Sequence, residues 1–143
     1  MDPEAFARKI AEWSRGTMIE RHGTRFLTAG QGRAVAQLRF TPELSQLTGV
    51  FHAGAVVALA DEAATAAALS ETCPDGELAA DRFPLTVQLS ANLLRAVARG
   101  TLTAEAEVVH RGRTMIVVDV RVFDDERRLV AMLVATQLVP RRG

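Results

Sequence analysis

The stretch GAVVALADEAATAAALS, residues 54–70, decides the fold of this chain. It is long and rich in alanine, a combination that favours a helix packed closely on all sides. Asp61 and Glu62 stand near its middle, and an acidic side chain at the centre of a bilayer costs about 2.5 to 3.5 kcal/mol. The stretch therefore predicts a buried helix rather than a membrane span. Its periodicity does not show which of the two acids faces solvent.

A helix and a hairpin are predicted before this stretch. Residues 3–15 carry apolar side chains at helical spacing, with Pro3 at the first helical position and Gly16 as the stop. Residues 24–29 and 33–40 flank a Gly-Gln-Gly turn, and the second run alternates between apolar and polar side chains. That pattern is typical of a β-hairpin.

Alternating side chains also follow the alanine-rich helix. They predict four strands within residues 87–93, 102–108, 116–122 and 129–139, joined by connections too short for parallel neighbours. The apolar face of such a sheet needs a cover, and the alanine-rich helix is the element large enough to provide it. We therefore expect one α+β domain over residues 1–143, with an antiparallel sheet around a long helix.

Composition excludes several classes of protein. The 143 residues are 48% hydrophobic and 24% charged, and Lys+Arg 17 balance Asp+Glu 17, so no overall field attracts nucleic acid or an anionic membrane. The single cysteine, Cys73, cannot form an internal disulfide, and the three histidines lack metal-ligand spacing. The N-terminus has no uninterrupted apolar core of a secretory signal. We expect a cytoplasmic protein without a metal ion or a bound cofactor.

The start and the middle of the alanine-rich helix carry candidate catalytic residues. His52 and Gly54 fall where backbone N–H groups lack partners and the helix dipole is positive. Ala53 and Gly54 are small enough for a carbonyl group to approach these amides, as an oxyanion site requires. Asp61 and Thr65 are one turn apart and share a helix face. A buried carboxylate needs hydrogen bonds or an ion pair, and such exceptions concentrate at functional sites.

Simpler interpretations of the same residues stay open. A lone histidine such as His52 is more often a helix cap than a ligand or a base. Arg95, Arg111 and Arg113 can be solvated residues of turns, although guanidinium groups also match phosphates. Cys73 has no adjacent base and is not predicted to be a nucleophile.

The chain also resembles a known family. Residues 49–54 (GVFHAG), followed by Leu-Ala-Asp ending at Asp61, resemble the His-Gly-Gly loop and the acid nine residues after the histidine in hotdog-fold acyl-CoA thioesterases of the phenylacetate-degradation and 4-hydroxybenzoyl-CoA thioesterase type. Residues 92–95 and 110–113 resemble characteristic strands of that family. The resemblance covers about residues 31–139 and implies the hotdog fold, in which an antiparallel sheet wraps around a long central helix.

The resemblance implies a role for each candidate. Asp61 becomes the nucleophile or general base, and the amides of Ala53 and Gly54 become the oxyanion donors. Gln46 occupies the place of a residue that orients the attacking water or the thioester, and Thr65 matches a hydroxyl residue beside the acid. Ala53 departs from the family, which usually has glycine there. The reaction implied is hydrolysis of an aryl- or medium-chain acyl-CoA, with coenzyme A present only as part of the substrate.

Three arginines are candidates for coenzyme A. Arg95, Arg111 and Arg113 lie near the predicted edge of the sheet, where they could meet the 3′-phosphate and the pyrophosphate. A non-catalytic acyl-CoA binding module would keep the same residues. A hotdog enoyl-CoA hydratase is a weaker alternative, because such enzymes pair the aspartate with a histidine later on the helix, and none follows Asp61 before His110.

Distance along the helix predicts an oligomer. Gly54 and Asp61 are seven residues apart, about 10 Å along one helix, although both must lie about 3 Å from the reacting carbonyl. Two helices packed antiparallel about a two-fold axis would bring the start of each beside the acid of the other. Ala58, Ala64 and Ala68 would permit the close approach. The resemblance implies the same shared site, so we expect at least a homodimer and, as in many relatives, a homotetramer.

Overall fold

A computed structural model describes residues 1–140, which form, besides two short 3-10 helices at Pro42–Leu44 and Ala80–Arg82, three α-helices and six strands. In chain order they are α1 Pro3–Trp13, α2 Met18–His22, β1 Arg25–Gly30, β2 Arg33–Arg39, α3 Ala53–Thr72, β3 Leu85–Leu93, β4 Thr101–Arg111, β5 Met115–Phe123 and β6 Leu129–Leu138. The predicted long helix, the N-terminal helix and all predicted strands are present. Helix α2 was not predicted, because five residues are too few for a periodic pattern.

The strands form one sheet in the order β1-β2-β4-β5-β6-β3, antiparallel throughout. The antiparallel α+β prediction is therefore confirmed. Strand β3, however, lies beside β6 and not beside its successor β4, whose other neighbour is β2. The link between β3 and β4, residues 94–100, can span roughly 23 Å when extended, whereas three strand spacings need only about 14 Å. A short connection therefore does not require neighbouring strands.

Helix α3 lies in the core and contacts all six strands. The core combines the alanines of α3 with small side chains of the sheet, such as Ala104 and Ala106, and small side chains on both elements allow the helix axis to approach the sheet closely. Leu59 of α3 is fully buried in the same core. Within residues 1–140, α3 is the one helix long and apolar enough to cross a membrane, and 67% of its apolar stretch is buried inside the protein. It is the core helix of the fold, as predicted.

Helix α1 covers one edge of the sheet, and the short helix α2 follows it. The Asp2 carboxylate accepts a hydrogen bond from the Ala5 N–H at 3.0 Å, which caps α1 at its predicted start. Phe6 and Ile10 are buried, and α1 packs against the edge strand β1. Helix α2 then ends at Gly23, whose φ of 97° suits glycine. One edge of the sheet is therefore covered.

The opposite edge is open. The outer strand β3 carries large apolar side chains that are between 36% and 53% exposed: Leu85, Val87, Leu89 and Leu93. Next to it, the residues of α3 that are not fully buried fall mainly on one face: Gly54, Val57, Ala58, Asp61 and Thr65. We call these two surfaces the β3 edge and the open face of α3. An apolar edge strand with unpaired N–H and C=O groups is a template for pairing with another strand.

Candidate active site

His52 is the N-cap of α3. Its Nδ1 accepts a hydrogen bond from the Gly54 N–H at 2.8 Å, and its carbonyl accepts one from the Ala55 N–H at 2.9 Å. A Cβ atom at position 54 would lie 2.9 Å from Nδ1, so the cap in this form needs glycine there. Because Nδ1 accepts, the neutral imidazole carries its proton on Nε2. The capping interpretation of His52 is the one that the structure supports.

This cap occupies one of the two amides that were predicted as oxyanion donors. The Gly54 amide was expected to be an oxyanion donor, yet it already donates to His52. The Ala53 N–H makes no hydrogen bond to any residue in 1–140 and remains free to donate. The helix start can thus provide one free amide from this loop. The difference arises because the side chain of the cap reaches back over the first turn, a contact that sequence spacing does not reveal.

Gln46 lies beside the free amide. A cavity of about 430 Å³ is lined by Gln46, His52, Ala53 and Arg95, and we call it the donor cavity. The Gln46 side-chain oxygen accepts hydrogen bonds from the backbone N–H of Thr48 and, at 2.8 Å, from its hydroxyl. The side-chain amide nitrogen of Gln46 is therefore left to donate. Two donors, the Ala53 N–H and the Gln46 amide, belong to one cavity.

Asp61 lies in a different cavity. This cavity, of about 620 Å³, runs along the open face of α3 and also contains Thr65; we call it the acid cavity. The Thr86 hydroxyl donates to Asp61 Oδ1 at 2.7 Å, and no residue in 1–140 donates to Oδ2. The walls are mostly apolar side chains from α1, α2, α3, β1 and the segment before β3, among them Ile10, Trp13, Met18, Phe26, Leu69 and Phe83. A carboxylate with one free oxygen therefore borders an apolar space.

A buried glutamine connects the polar groups of the acid cavity. Gln137 of β6 is fully buried, and its Nε2 lies 2.9 Å from Thr65 Oγ1 and 3.0 Å from Thr86 Oγ1. Neither Thr86 nor Gln137 was among the residues predicted from the sequence. A signal was present, because Ala131, Leu133 and the following alternate positions of β6 point inward, and position 137 continues that inward series.

Glu62 has different surroundings from Asp61. It is buried, and the Thr24 hydroxyl donates to its Oε2. Burial raises the pKa of Glu62 to about 7; the hydrogen bond from Thr24 opposes this rise, and the nearby charge of Asp61 adds to it. Both acids line the acid cavity, but the structure distinguishes them as periodicity could not, since Asp61 is partly exposed on the open face and Glu62 is buried beside Thr24.

The structure divides the three predicted coenzyme A arginines between two places. Arg95 follows the end of β3 and lines the donor cavity. Arg111 and Arg113 belong to the β4–β5 hairpin. Arg111 pairs with Ile116 of β5, and Ile116 pairs with Gln137 of β6, so Arg111 lies at the end of the sheet that holds Gln137. Because β3 and β4 run in opposite directions, their ends lie about 23 Å apart along the sheet. The expectation of one arginine group at one edge is wrong for a single chain.

The predicted catalytic residues also fall into two sets. Gln46, His52 and Ala53 line the donor cavity, whereas Gly54, Asp61 and Thr65 line the acid cavity. Ala53 and Asp61 are eight residues apart on α3, or about 12 Å along its axis. Gly54 lines the acid cavity, but its N–H donates to His52. One chain therefore holds two half-sites, a donor half-site with the Ala53 N–H and the Gln46 amide and an acid half-site with Asp61, and it does not bring them together.

Comparison with known proteins gives the family. The model of the Thioesterase superfamily matches residues 48–131, more than half of the chain. Over 122 residues the chain is 33% identical to a Bacillus subtilis (strain 168) protein named "Putative esterase ComA2", covering 81% of this chain and 88% of that protein. It is 28% identical over 120 residues to 1,4-dihydroxy-2-naphthoyl-CoA hydrolase of Listeria monocytogenes, covering 84% of this chain and 93% of that protein.

A solved structure agrees with these matches. A hypothetical thioesterase from Streptococcus pneumoniae TIGR4, determined with coenzyme A, superposes with a TM-score of 0.72 at 26% identity, covering 85% of this chain and 89% of that one. The fold agrees with the match to the family model, because the hotdog fold of that family is an antiparallel sheet wrapped around a long helix. The chain belongs to the Thioesterase superfamily and has its hotdog fold.

Proposed function

We propose that this protein hydrolyses an acyl-CoA thioester to a carboxylic acid and free coenzyme A, with an aryl or medium-chain acyl group. The observation that carries the proposal is Asp61, whose carboxylate has one oxygen held by Thr86 and the other free at the wall of a large apolar cavity. The Listeria relative named as an aryl-CoA hydrolase and the Streptococcus structure with coenzyme A support this substrate class. The phenylacetate-degradation and 4-hydroxybenzoyl-CoA subtype is part of the same proposal.

The chemistry follows from the two half-sites. Asp61 either attacks the thioester carbonyl, which gives a mixed anhydride that a water then hydrolyses, or removes a proton from a water that attacks the carbonyl. In both routes the C–S bond breaks, coenzyme A leaves as the thiolate, and the thiolate takes up a proton that derives from the water. The carbonyl oxygen gains negative charge during the attack. The Ala53 N–H and the Gln46 amide would donate to it, and such a donor contributes about 2.7 to 4 kcal/mol in hydrolases where it has been removed. The Thr65 hydroxyl, which lines the same cavity as Asp61, would lie on the Asp61 side of the carbonyl.

A second copy of the chain would unite the half-sites. We infer that two β3 edges pair antiparallel and that the open faces of α3 pack against each other about a two-fold axis. The free Ala53 amide of one chain would then lie beside Asp61 of the other. Of the alanines expected to allow this approach, Ala58 is on the open face, but Ala64 and Ala68 are fully buried within their own chain and cannot face a partner. The tetramer remains an expectation built on this dimer.

The same two-fold axis would reunite the arginines. Pairing β3 with an antiparallel copy carries the partner subunit's Arg95 to the end of the sheet that holds Arg111 and Arg113. The three guanidinium groups would then surround one site entrance and could bind the phosphates of coenzyme A. Coenzyme A takes part only as a portion of the substrate in this proposal.

A panel of thioesters tests the proposal. We expect the purified protein to release thiol from at least one aryl- or medium-chain acyl-CoA, and the Asp61→Asn variant to lose most of that activity while it unfolds at the same temperature as the wild type. Glu62→Gln makes the same chemical change at the next residue and should retain most of the turnover. Stabilisation by coenzyme A without thiol release from any thioester would instead identify a binding module, and full activity of Asp61→Asn would remove this residue from the mechanism.

A further inference from the structure

Gln137 has no role in the mechanism described so far, yet it touches both hydroxyl groups next to Asp61. We propose that Gln137 is a positioning residue that fixes the direction in which the Thr86 and Thr65 hydroxyls donate their protons. The inference rests on the proposed thioester hydrolysis at Asp61. Gln137 itself touches neither the substrate nor the reacting atoms.

The direction of each hydrogen bond follows from the chemistry of the carboxylate. An ionised Asp61 can only accept, so the Thr86 hydroxyl must donate its proton to Oδ1, 2.7 Å away. The Thr86 oxygen then needs a donor on its other side, and the Gln137 side chain lies there at 3.0 Å. The atom of Gln137 that faces Thr86 must therefore be the amide nitrogen and not the amide oxygen.

The same nitrogen determines the orientation of Thr65. Its distance to Thr65 Oγ1 is 2.9 Å, and an amide NH₂ group has two protons, one for each threonine. Thr65 consequently accepts from Gln137, and its own proton has no acceptor among residues 1–140. Because Thr65 lines the acid cavity, this proton can be donated to an attacking water or to the substrate there.

Burial of Gln137 argues against a purely structural role. The side chain is fully buried, and its Oε1 has no hydrogen-bond partner among the described residues 1–140. A buried polar atom without a partner destabilises the fold, and an apolar side chain of the same shape would avoid this cost. The Gln137 amide nitrogen, by contrast, satisfies two hydroxyls at the half-site. The Gln137 amide therefore lowers the stability of the fold through its oxygen, while its nitrogen fixes the direction in which the two threonine hydroxyls donate.

Gln137→Met separates these two roles, because methionine keeps the shape of the side chain and removes the donor. We expect kcat to fall by about tenfold or more, KM to stay within about twofold, and the melting temperature to be unchanged or higher. Thr86→Val should lower kcat in the same way, and Thr86→Ser, which keeps the hydroxyl, should restore it. In the Thr86→Val background, Gln137→Met should lower kcat less than it does alone, because part of its effect has already been lost.

Several outcomes would overturn the inference. An unchanged kcat in Gln137→Met, with an active wild type, would remove Gln137 from the mechanism and leave the proposed function intact. If Gln137→Met lowers both kcat and the melting temperature, and Thr86→Ser has as low a kcat as Thr86→Val, Gln137 acts through stability. A wild type that hydrolyses no thioester would overturn the proposed function, and this inference with it.

Discussion

Asp61 and Glu62 are neighbours in the sequence, but their carboxyl groups lie in different environments. Asp61 is half-buried on the open face of α3, where a hydroxyl donates to it. Glu62 is buried against Thr24, and its pKa is raised to about 7, chiefly by burial. A carboxyl group with a raised pKa in the folded state makes stability depend on pH.

Replacing Glu62 by glutamine should remove that dependence. The folded protein binds the Glu62 proton more tightly than the unfolded chain between the ordinary value of 4.5 and about 7. The free energy of unfolding should therefore decrease as the pH rises through this window, by up to about 3 kcal/mol. We expect Glu62→Gln to be more stable than the wild type above this window and nearly equal to it below, as measured by urea unfolding across pH. Glu43→Gln, a change at an exposed loop position, is the matched control. A difference that does not vary with pH would contradict the prediction.

Arg111 allows a test of coenzyme A binding. If its guanidinium group binds a phosphate, Arg111→Ala should raise KM for acyl-CoA by the equivalent of about 1.5 to 3 kcal/mol, as for a lost charge-assisted hydrogen bond. Short thioesters without the nucleotide should be little affected, which initial-rate kinetics on both substrates will measure. Arg39→Ala removes the same charge at the far end of β2 and should change neither KM. An equal rise in KM for acyl-CoA and for the short thioesters would indicate that Arg111 has a structural role.

What the sequence could predict about individual residues depends on how local their contacts are. Asp61 and Thr65 share a face because of helical spacing, which any helix provides. Thr86 and Gln137 are separated by 51 positions, and the register of β3 against β6 alone makes them neighbours. That register contains an irregularity between Thr86 and Gln88, so simple alternation does not place Thr86.

At the scale of secondary structure, the first turn of α3 combines a stability role with a chemical one. His52 caps the helix through Gly54, and the Ala53 amide between them stays free. We expect His52→Ala to lower the free energy of unfolding by about 1 kcal/mol, since the cap loses its acceptor. His52→Asn keeps a short side chain that can accept and should retain most of the stability. Urea unfolding at one fixed protein concentration measures both variants, and equal losses would show that capping is not what His52 contributes.

The elements themselves were largely predictable, and their arrangement was not. Amphipathic spacing and alternation locate α1, α3 and the strands to within a few residues. The position of β3 at the far edge depends on β2 taking the place beside β4, a contact between segments more than sixty residues apart. Local pattern carries no information about that choice. Because β3 lies at the edge of the sheet, its outer side is available for pairing with a second chain.

For the whole molecule, a shared site predicts complementation between two inactive variants. Asp61→Asn damages the acid half-site, and Gln46→Ala damages the donor half-site. If the two are mixed in equal amounts, unfolded and refolded together, half of the dimers should be heterodimers with one intact site each. About a quarter of the wild-type activity should then return, as follows from a two-fold dimer with two composite sites.

The control for complementation uses two variants with the same half-site damaged. Refolding Asp61→Asn together with Asp61→Ala should restore no activity, because every site then lacks the acid. Native mass spectrometry establishes in both mixtures that heterodimers have formed. Heterodimers of Asp61→Asn and Gln46→Ala without recovered activity would show that each chain holds its own complete site.

The wall of the acid cavity also has an optical consequence. The chain has one tryptophan and no tyrosine, so its near-ultraviolet emission comes essentially from a single indole. That indole belongs to Trp13, which lines the cavity and packs edge-on against Phe6, with 6.0 Å between the ring centroids. An acyl group that enters the cavity would change the polarity around this ring. The protein thus contains its own fluorescent reporter of acyl-group binding, and the Asp61→Asn variant would allow titration without turnover.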